Sequence, residues 1–196
     1  MSGQARRESE TGDAVSGLSS RVLLEPDDGS LGPLLRMADD RLAAHAGYGT
    51  HGHRAVDVVA VVLAGSLRHA WGSGPVLAAG DVAVLTAGTG LEHDEVAGGD
   101  GAHVLQTYLR SARPGEPAAH EVHRNADGWV SLDRPDARLW VEAVEGGTWT
   151  TVPPGLLVLA GPEGARVERQ DGGPVHGPAT AVVWQLDTAR PDWAES

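Results

Sequence analysis

Gly49-Thr50-His51-Gly52-His53-Arg54 and Gly88-Thr89-Gly90-Leu91-Glu92-His93-Asp94-Glu95 bracket the stretch that decides the fold. Each end carries two potential metal ligands separated by one residue. Side chains at i and i+2 share a face of an extended strand, so His51 projects with His53, and His93 with Glu95. Between the pairs lie an apolar run from Val56 to Leu63, a turn at Gly72-Ser73-Gly74-Pro75 and a second run from Val82 to Leu85. This is the pattern of a small antiparallel barrel whose facing strands can bring four ligands to one point.

Working outward, short β-rich segments alternate with Gly, Pro and Asp, and no long helical period interrupts them. Strands are expected at 54–64, 66–71, 76–79, 82–86, 91–96 and 102–109, then at 120–123, 128–132, 138–145, 148–152, 156–160, 164–169 and 179–187. Pro153-Pro154-Gly155, Gly161-Pro162 and Gly172-Gly173-Pro174 punctuate the second set. Upstream, Arg21 to Glu25 reads as a first strand, Pro26-Asp27-Asp28-Gly29 as a turn, and Leu31 to Leu42 as strand and loop at a barrel edge. Even spacing of short strands predicts an all-β protein. The expected division is a disordered tail over 1–19, an N-terminal barrel over 20–110, a linker over 111–119 and a smaller C-terminal barrel over 120–196.

The composition narrows the function. A formal net charge of -12, with Arg as the only Lys/Arg-type cation, argues against direct nucleic-acid binding, because phosphate contacts need clustered basic residues. The absence of Cys excludes disulfides, thiolate metal sites and a Cys nucleophile. The first 20 residues lack the apolar core of a signal peptide, and no stretch approaches the roughly 20 apolar residues of a membrane span. A soluble cytoplasmic protein without membrane association is expected.

The order Gly-x-His-x-His, a β run ending in Gly65, Gly80-Asp81-Val82, and Gly88 leading to His93 resembles the two motifs of the cupin superfamily. Gly32-Pro33-Leu34, Asp39-Asp40-Arg41, His51-Gly52-His53-Arg54, Thr86-Ala87-Gly88, His93-Asp94-Glu95 and Leu105-Gln106 resemble the pirin family within it. The similarity is close over 31–110, and Asp136-Ala137-Arg138-Leu139 extends it more faintly. It implies a bicupin, two packed antiparallel β-barrels of the double-stranded β-helix type, the second reduced, with metal in the first barrel only. The implied ligands are His51, His53, His93 and Glu95. Asp57 stands where other cupins take their carboxylate. Gly52 replaces the usual Pro, Ala55 and Val56 replace a common Gly and an aromatic or Met, and the loop after His69 is short.

Three imidazoles and a carboxylate suit Fe(II) first, with Mn, Ni, Co, Cu or Zn also acceptable. By resemblance the activity is that of a metal-dependent quercetinase-like dioxygenase. A flavonol or similar phenolic small molecule would chelate the ion, Glu95 would accept the hydroxyl proton, and the ring would open with loss of carbon monoxide. The short loops widen the mouth and favour this reading. The alternatives are a non-catalytic iron-binding regulator of a protein partner and a redox-neutral isomerase or cyclase. Among other polar residues, His69 and His103 read as structural histidines, and Gln106 and Tyr108 as core residues on one strand face. His120 and His123 read as linker surface, Arg54 as half of an ion pair, and Asp57 as either a base behind the ligands or a strand-edge carboxylate. Tryptophans, including Trp140, Trp149 and Trp184, are expected to fill the core in place of Phe.

Overall fold

The computed structural model describes residues 17–26, 28–70 and 74–188. Most of the expected tail, with Glu8 and Glu10, Asp27 of the first turn, and Gly72 and Ser73 of the second lie outside these residues. Within them the chain is all β, with antiparallel strand pairing throughout its sheets. The first eight strands are β1 (Leu18–Leu24), β2 (Leu34–Leu42), β3 (His51–His53), β4 (Val56–Ala70), β5 (Val76–Ala78), β6 (Val82–Thr86), β7 (Leu91–Arg110) and β8 (Ala119–His123). They form one sheet in the order β1-β2-β7-β4-β6-β8, with β3 on β7 and β5 on β4. The remaining strands are β9 (Gly128–Val130), β10 (Ala137–Val144), β11 (Trp149–Val152), β12 (Gly155–Gly161), β13 (Gly164–Gln170), β14 (Gly173–His176) and β15 (Ala179–Leu186). They build a five-stranded sheet, β13-β12-β15-β10-β9, and a two-stranded ribbon, β11-β14. No helix occurs among the described residues, so none is long and apolar enough to cross a membrane.

The apolar run Val56–Leu63 is nearly continuous because β4 is buried on both faces. Val59 and Val61 join Leu105, Leu109, Val158, Val182 and Trp184 in a core that contains residues of both sheets. Ala60 and Val62 join Val104, Leu67 and Leu77 inside the first barrel. A third cluster, with Trp140, Leu157 and Val183, fills the second barrel. Fully burying a Val or Leu contributes roughly 1.5–3 kcal/mol, so the shared core is a main tie between the barrels.

Polar contacts add to that tie. Asp39 Oδ2 accepts from Ala165 N at 2.9 Å and from Arg21 Nη2 at 3.0 Å, while its Oδ1 lies 2.5 Å from His103 Nε2. His103 therefore faces away from the barrel interior. Asp57, on the same outer face of β4 as Val59, meets Arg134 Nη1 at 2.8 Å. Arg134 also donates to both Asp136 oxygens and to the Arg110 carbonyl.

Several boundaries differ from those expected. β1 starts at Leu18, within the expected tail. β8 hydrogen-bonds to β6 and completes the first sheet, although its residues fall in the expected linker and second barrel. Segments 54–64 and 66–71 are one strand, as are 91–96 and 102–109. Each long strand bends at a glycine, Gly65 (φ +71°) or Gly101 (φ +76°). A Cβ on Gly65 would lie 2.1 Å from the Gly101 carbonyl oxygen, a separation only glycine permits. β14 forms across the predicted break because Pro174 lies in a two-stranded ribbon, where a missing N–H is tolerated. Trp140 and Trp184 fill cores, but Trp149 and Trp129 are 66% and 46% exposed.

Candidate metal centre

Strand register assembles the candidate site. His51 on β3 is the direct cross-strand partner of His93 on β7, and His69 on β4 is the partner of Glu95. The bend at Gly65 carries the far half of β4 around the barrel, which brings His69 against the β7 segment that bears both ligands. Gln106, beyond the β7 bend from Glu95, donates Nε2 to Glu95 Oε2 at 2.9 Å.

Two groups of donors result. Donor atoms of His51, His53 and His93 lie within 4.8 Å of one another, and so do those of His69, His93 and Glu95. The three expected imidazoles thus converge, whereas Glu95 is gathered into a group with His69. His51 and His53 are half-buried, so the first group faces the barrel mouth; His93 and Glu95 are 2% and 1% exposed.

The imidazoles are set up as electron-pair donors. His51 Nδ1 lies 2.7 Å from the Gly49 carbonyl oxygen. A carbonyl only accepts, so Nδ1 carries the proton and Nε2 presents its lone pair. His51 Nε2 stands 3.1 Å from His93 Nε2, and buried His53 Nε2 has no hydrogen-bond partner. An ion about 2.1 Å from two nitrogens at right angles needs them about 3.0 Å apart, so the His51–His93 pair fits a divalent transition metal. Burial holds the His93 imidazole down at about 4 and lowers His53 as well. Both rings are neutral at neutral pH and open to an ion.

Burial pushes the Glu95 carboxyl up, but His69, Gln106 and His93 outweigh it and keep it below its ordinary value. The group is therefore a carboxylate, an uncommon state for a side chain so buried. Tyr108 closes one side, with its ring 5.7 Å from that of His53, and Tyr48 Oη donates to buried Asp40 Oδ2 at 2.8 Å.

Gln106 and Tyr108 thus line the inside of the barrel. His120, expected on a linker surface, stacks on His69 with ring centroids 4.6 Å apart and is lowered to about 4 by burial. A spacing of three aligns His120 with His123 only on a helix. On β8 it is Val122 that shares the inward face, and Val122 does pack against the barrel core. The alternation His120, Val122 was the readable signal. Arg54 is exposed and has no ion-pair partner among the described residues, so the expected pair is not formed. Asp57 serves the contact between barrels and does not back the ligands. Ala55 holds φ +55°, a left-handed conformation that glycine takes more readily than alanine.

The two barrels, with a histidine cluster at the mouth of the first, define a bicupin. Residues 22–109, a little under half of the chain, match the pirin family model. Over 106 residues it is 29% identical to the quercetin 2,3-dioxygenase of Escherichia coli K12, covering 51% of this chain and 46% of that protein. Over 73 residues it is 37% identical to a putative quercetin 2,3-dioxygenase of Zymomonas mobilis, covering 36% and 31%. The matched segments thus span less than half the length of these relatives. The bacterial pirin YhhW of E. coli in complex with nickel(II) superposes with a TM-score of 0.68 at 19% identity, covering 89% of this chain and 94% of that one. At that identity the likeness shows the fold.

Proposed function

We propose that the protein is a metal-dependent dioxygenase of the quercetinase type, acting on a chelating flavonol or related phenol. The observation that carries this reading is the convergence of three imidazoles at the half-open mouth, beside a buried carboxylate. His51, His53 and His93 would hold a divalent ion, Fe(II) by donor type, with Mn, Ni, Co, Cu or Zn as acceptable substitutes. When bound, such an ion supplies a redox-active centre that side chains lack. Glu95, the candidate catalytic residue, would accept the substrate hydroxyl proton, kept ionised for that role by Gln106 and His69. Tyr108 and Tyr48 give the mouth aromatic surface for a planar ligand.

The test is oxygen uptake by anaerobically Fe(II)-loaded protein given quercetin, with loss of the flavonol absorption followed in parallel. Turnover abolished in Glu95→Gln, with iron still bound, is the expected result. No uptake by the iron-loaded wild type would remove the dioxygenase reading and leave a regulator or a redox-neutral enzyme.

A further inference from the structure

We propose that Arg36 is a specificity-determining residue at the barrel mouth, a guanidinium that receives a carboxylate carried by a planar phenolic ligand at the end away from its chelating oxygens. The proposal rests on the reading of the mouth as a substrate site. Arg36 on β2 and Tyr108 on β7 are cross-strand partners, so their side chains leave the sheet on the same face. That face is the inner one: Ala38, Asp40 and Leu42 continue the alternation from Arg36, and Leu42 packs inside the first barrel. The Tyr108 ring lies 5.7 Å from the His53 ring, and the Arg36 guanidinium carbon lies 5.9 Å from the Tyr108 ring centroid. Imidazole, phenol and guanidinium thus follow one another away from the histidine cluster, over the reach of a flavonol-sized molecule lying on Tyr108.

Arg36 is half-buried and has donors to spare. Its side chain makes one long hydrogen bond among the described residues, from Nη2 to Ser20 Oγ at 3.4 Å. The nearby Asp40 carboxylate is engaged elsewhere: its Oδ1 accepts from Ser20 Oγ and its Oδ2 from Tyr48 Oη. Burial also pushes the Asp40 carboxyl above its ordinary value, so it is no full counterweight to the guanidinium. The planar fork of an arginine matches a carboxylate in two-point contact, which a lysine cannot reproduce. The rest of the ledge suits an aromatic body. Tyr108 offers a ring that Arg36 already flanks, and Val22, paired with Ala38 on the same inner face, is 46% exposed at the rim. An apolar rim, an aromatic wall and an open guanidinium are the parts of a site for an aromatic carboxylate.

The experiment is fluorescence titration of the full-chain, Zn(II)-loaded protein with 3-hydroxyflavone and with its 4′-carboxy derivative. The wild type should bind the carboxylate about 10-fold more tightly than the parent, the scale of charge-assisted hydrogen bonds. In Arg36→Met the two should bind equally, and Arg36→Lys should keep part of the preference. An arginine that merely offset Asp40 would alter stability without moving this preference. Equal affinities in the wild type, or a preference that survives Arg36→Met, overturn the assignment and leave the mouth as a substrate site. A wild type that binds neither flavonol overturns both. A carboxylate preference without oxygen uptake by the iron-loaded enzyme keeps the Arg36 assignment and removes the dioxygenase reading. Should Arg36→Met fail to fold, the wild type answers alone: its preference should shrink in about 0.5 M salt, and one indifferent to salt refutes the charge contact.

Discussion

Arg134→Met isolates a charge network that the sequence did not announce. The Arg134 side chain is 2% exposed and donates to Asp57, to both oxygens of Asp136 and to the Arg110 carbonyl. Methionine fills similar space without a donor. Asp136 reaches solvent at 36% side-chain exposure and rehydrates, but Asp57 is 8% exposed at its side chain. Removing one partner of a buried pair costs about 3–5 kcal/mol. Burial already pushes the Asp57 carboxyl up even with the arginine present, so without it the group resists ionisation further. Its folded pKa is then raised above the unfolded value near 3.9. The variant's deficit relative to wild type therefore grows with pH from the wild-type folded value to the higher one of the variant, by at most about 1.4 kcal/mol per unit. Urea unfolding at pH 7 should show a loss of about 3–5 kcal/mol that shrinks toward pH 5, and Asp57→Asn added to Arg134→Met should recover part of it. A loss below about 1 kcal/mol, or one independent of pH, would refute the assignment of Arg134 and Asp57 as a buried pair.

Gln106→Leu frees Glu95 Oε2 and should lower stability by about 1–3 kcal/mol and metal affinity about 10-fold, read by thermal melts and metal titration. Gly65→Ala places a Cβ against the Gly101 carbonyl at positive φ and should cost roughly 2–4 kcal/mol in chemical unfolding. Ala55→Gly should instead leave stability unchanged or raise it by about 0.5 kcal/mol, since relief at φ +55° offsets glycine's extra entropy. Metal-free protein should lose stability as pH falls from about 6.5 to about 4, because the unfolded chain protonates His93 first. That residue's share is of order 3 kcal/mol, and Zn(II) should raise the melting temperature less at pH 5 than at pH 7 as protons compete for the ring.

Much of the fold was readable because sheet structure leaves a local record. The period of two at His51/His53 and His93/Glu95, and the Gly and Pro punctuation, located most strands within a residue or two. What escaped depends on contacts distant in sequence. Gly98-Gly99-Asp100-Gly101 reads as a turn, yet Gly101 sits opposite Gly65 in a bend that keeps β4 and β7 continuous. The fate of β8 is set by pairing with β6, which no local pattern encodes. For the site, the three imidazoles were legible from spacing. The company Glu95 keeps was not, because the strand bend delivers His69, and β8 delivers His120, from elsewhere in the chain. Asp57 shows the converse: its motif position suggested the site, while the alternation along β4 turns it to the opposite face.

The central claim, that the barrel mouth holds a metal ion through His51, His53 and His93, is tested most directly by metal content. Protein reconstituted anaerobically with Fe(II) and dialysed should retain about one iron per chain, with affinity reduced at least about 10-fold in His51→Ala/His53→Ala. Wild-type protein that keeps no iron, or a double variant that binds it as tightly as the wild type, would contradict the account.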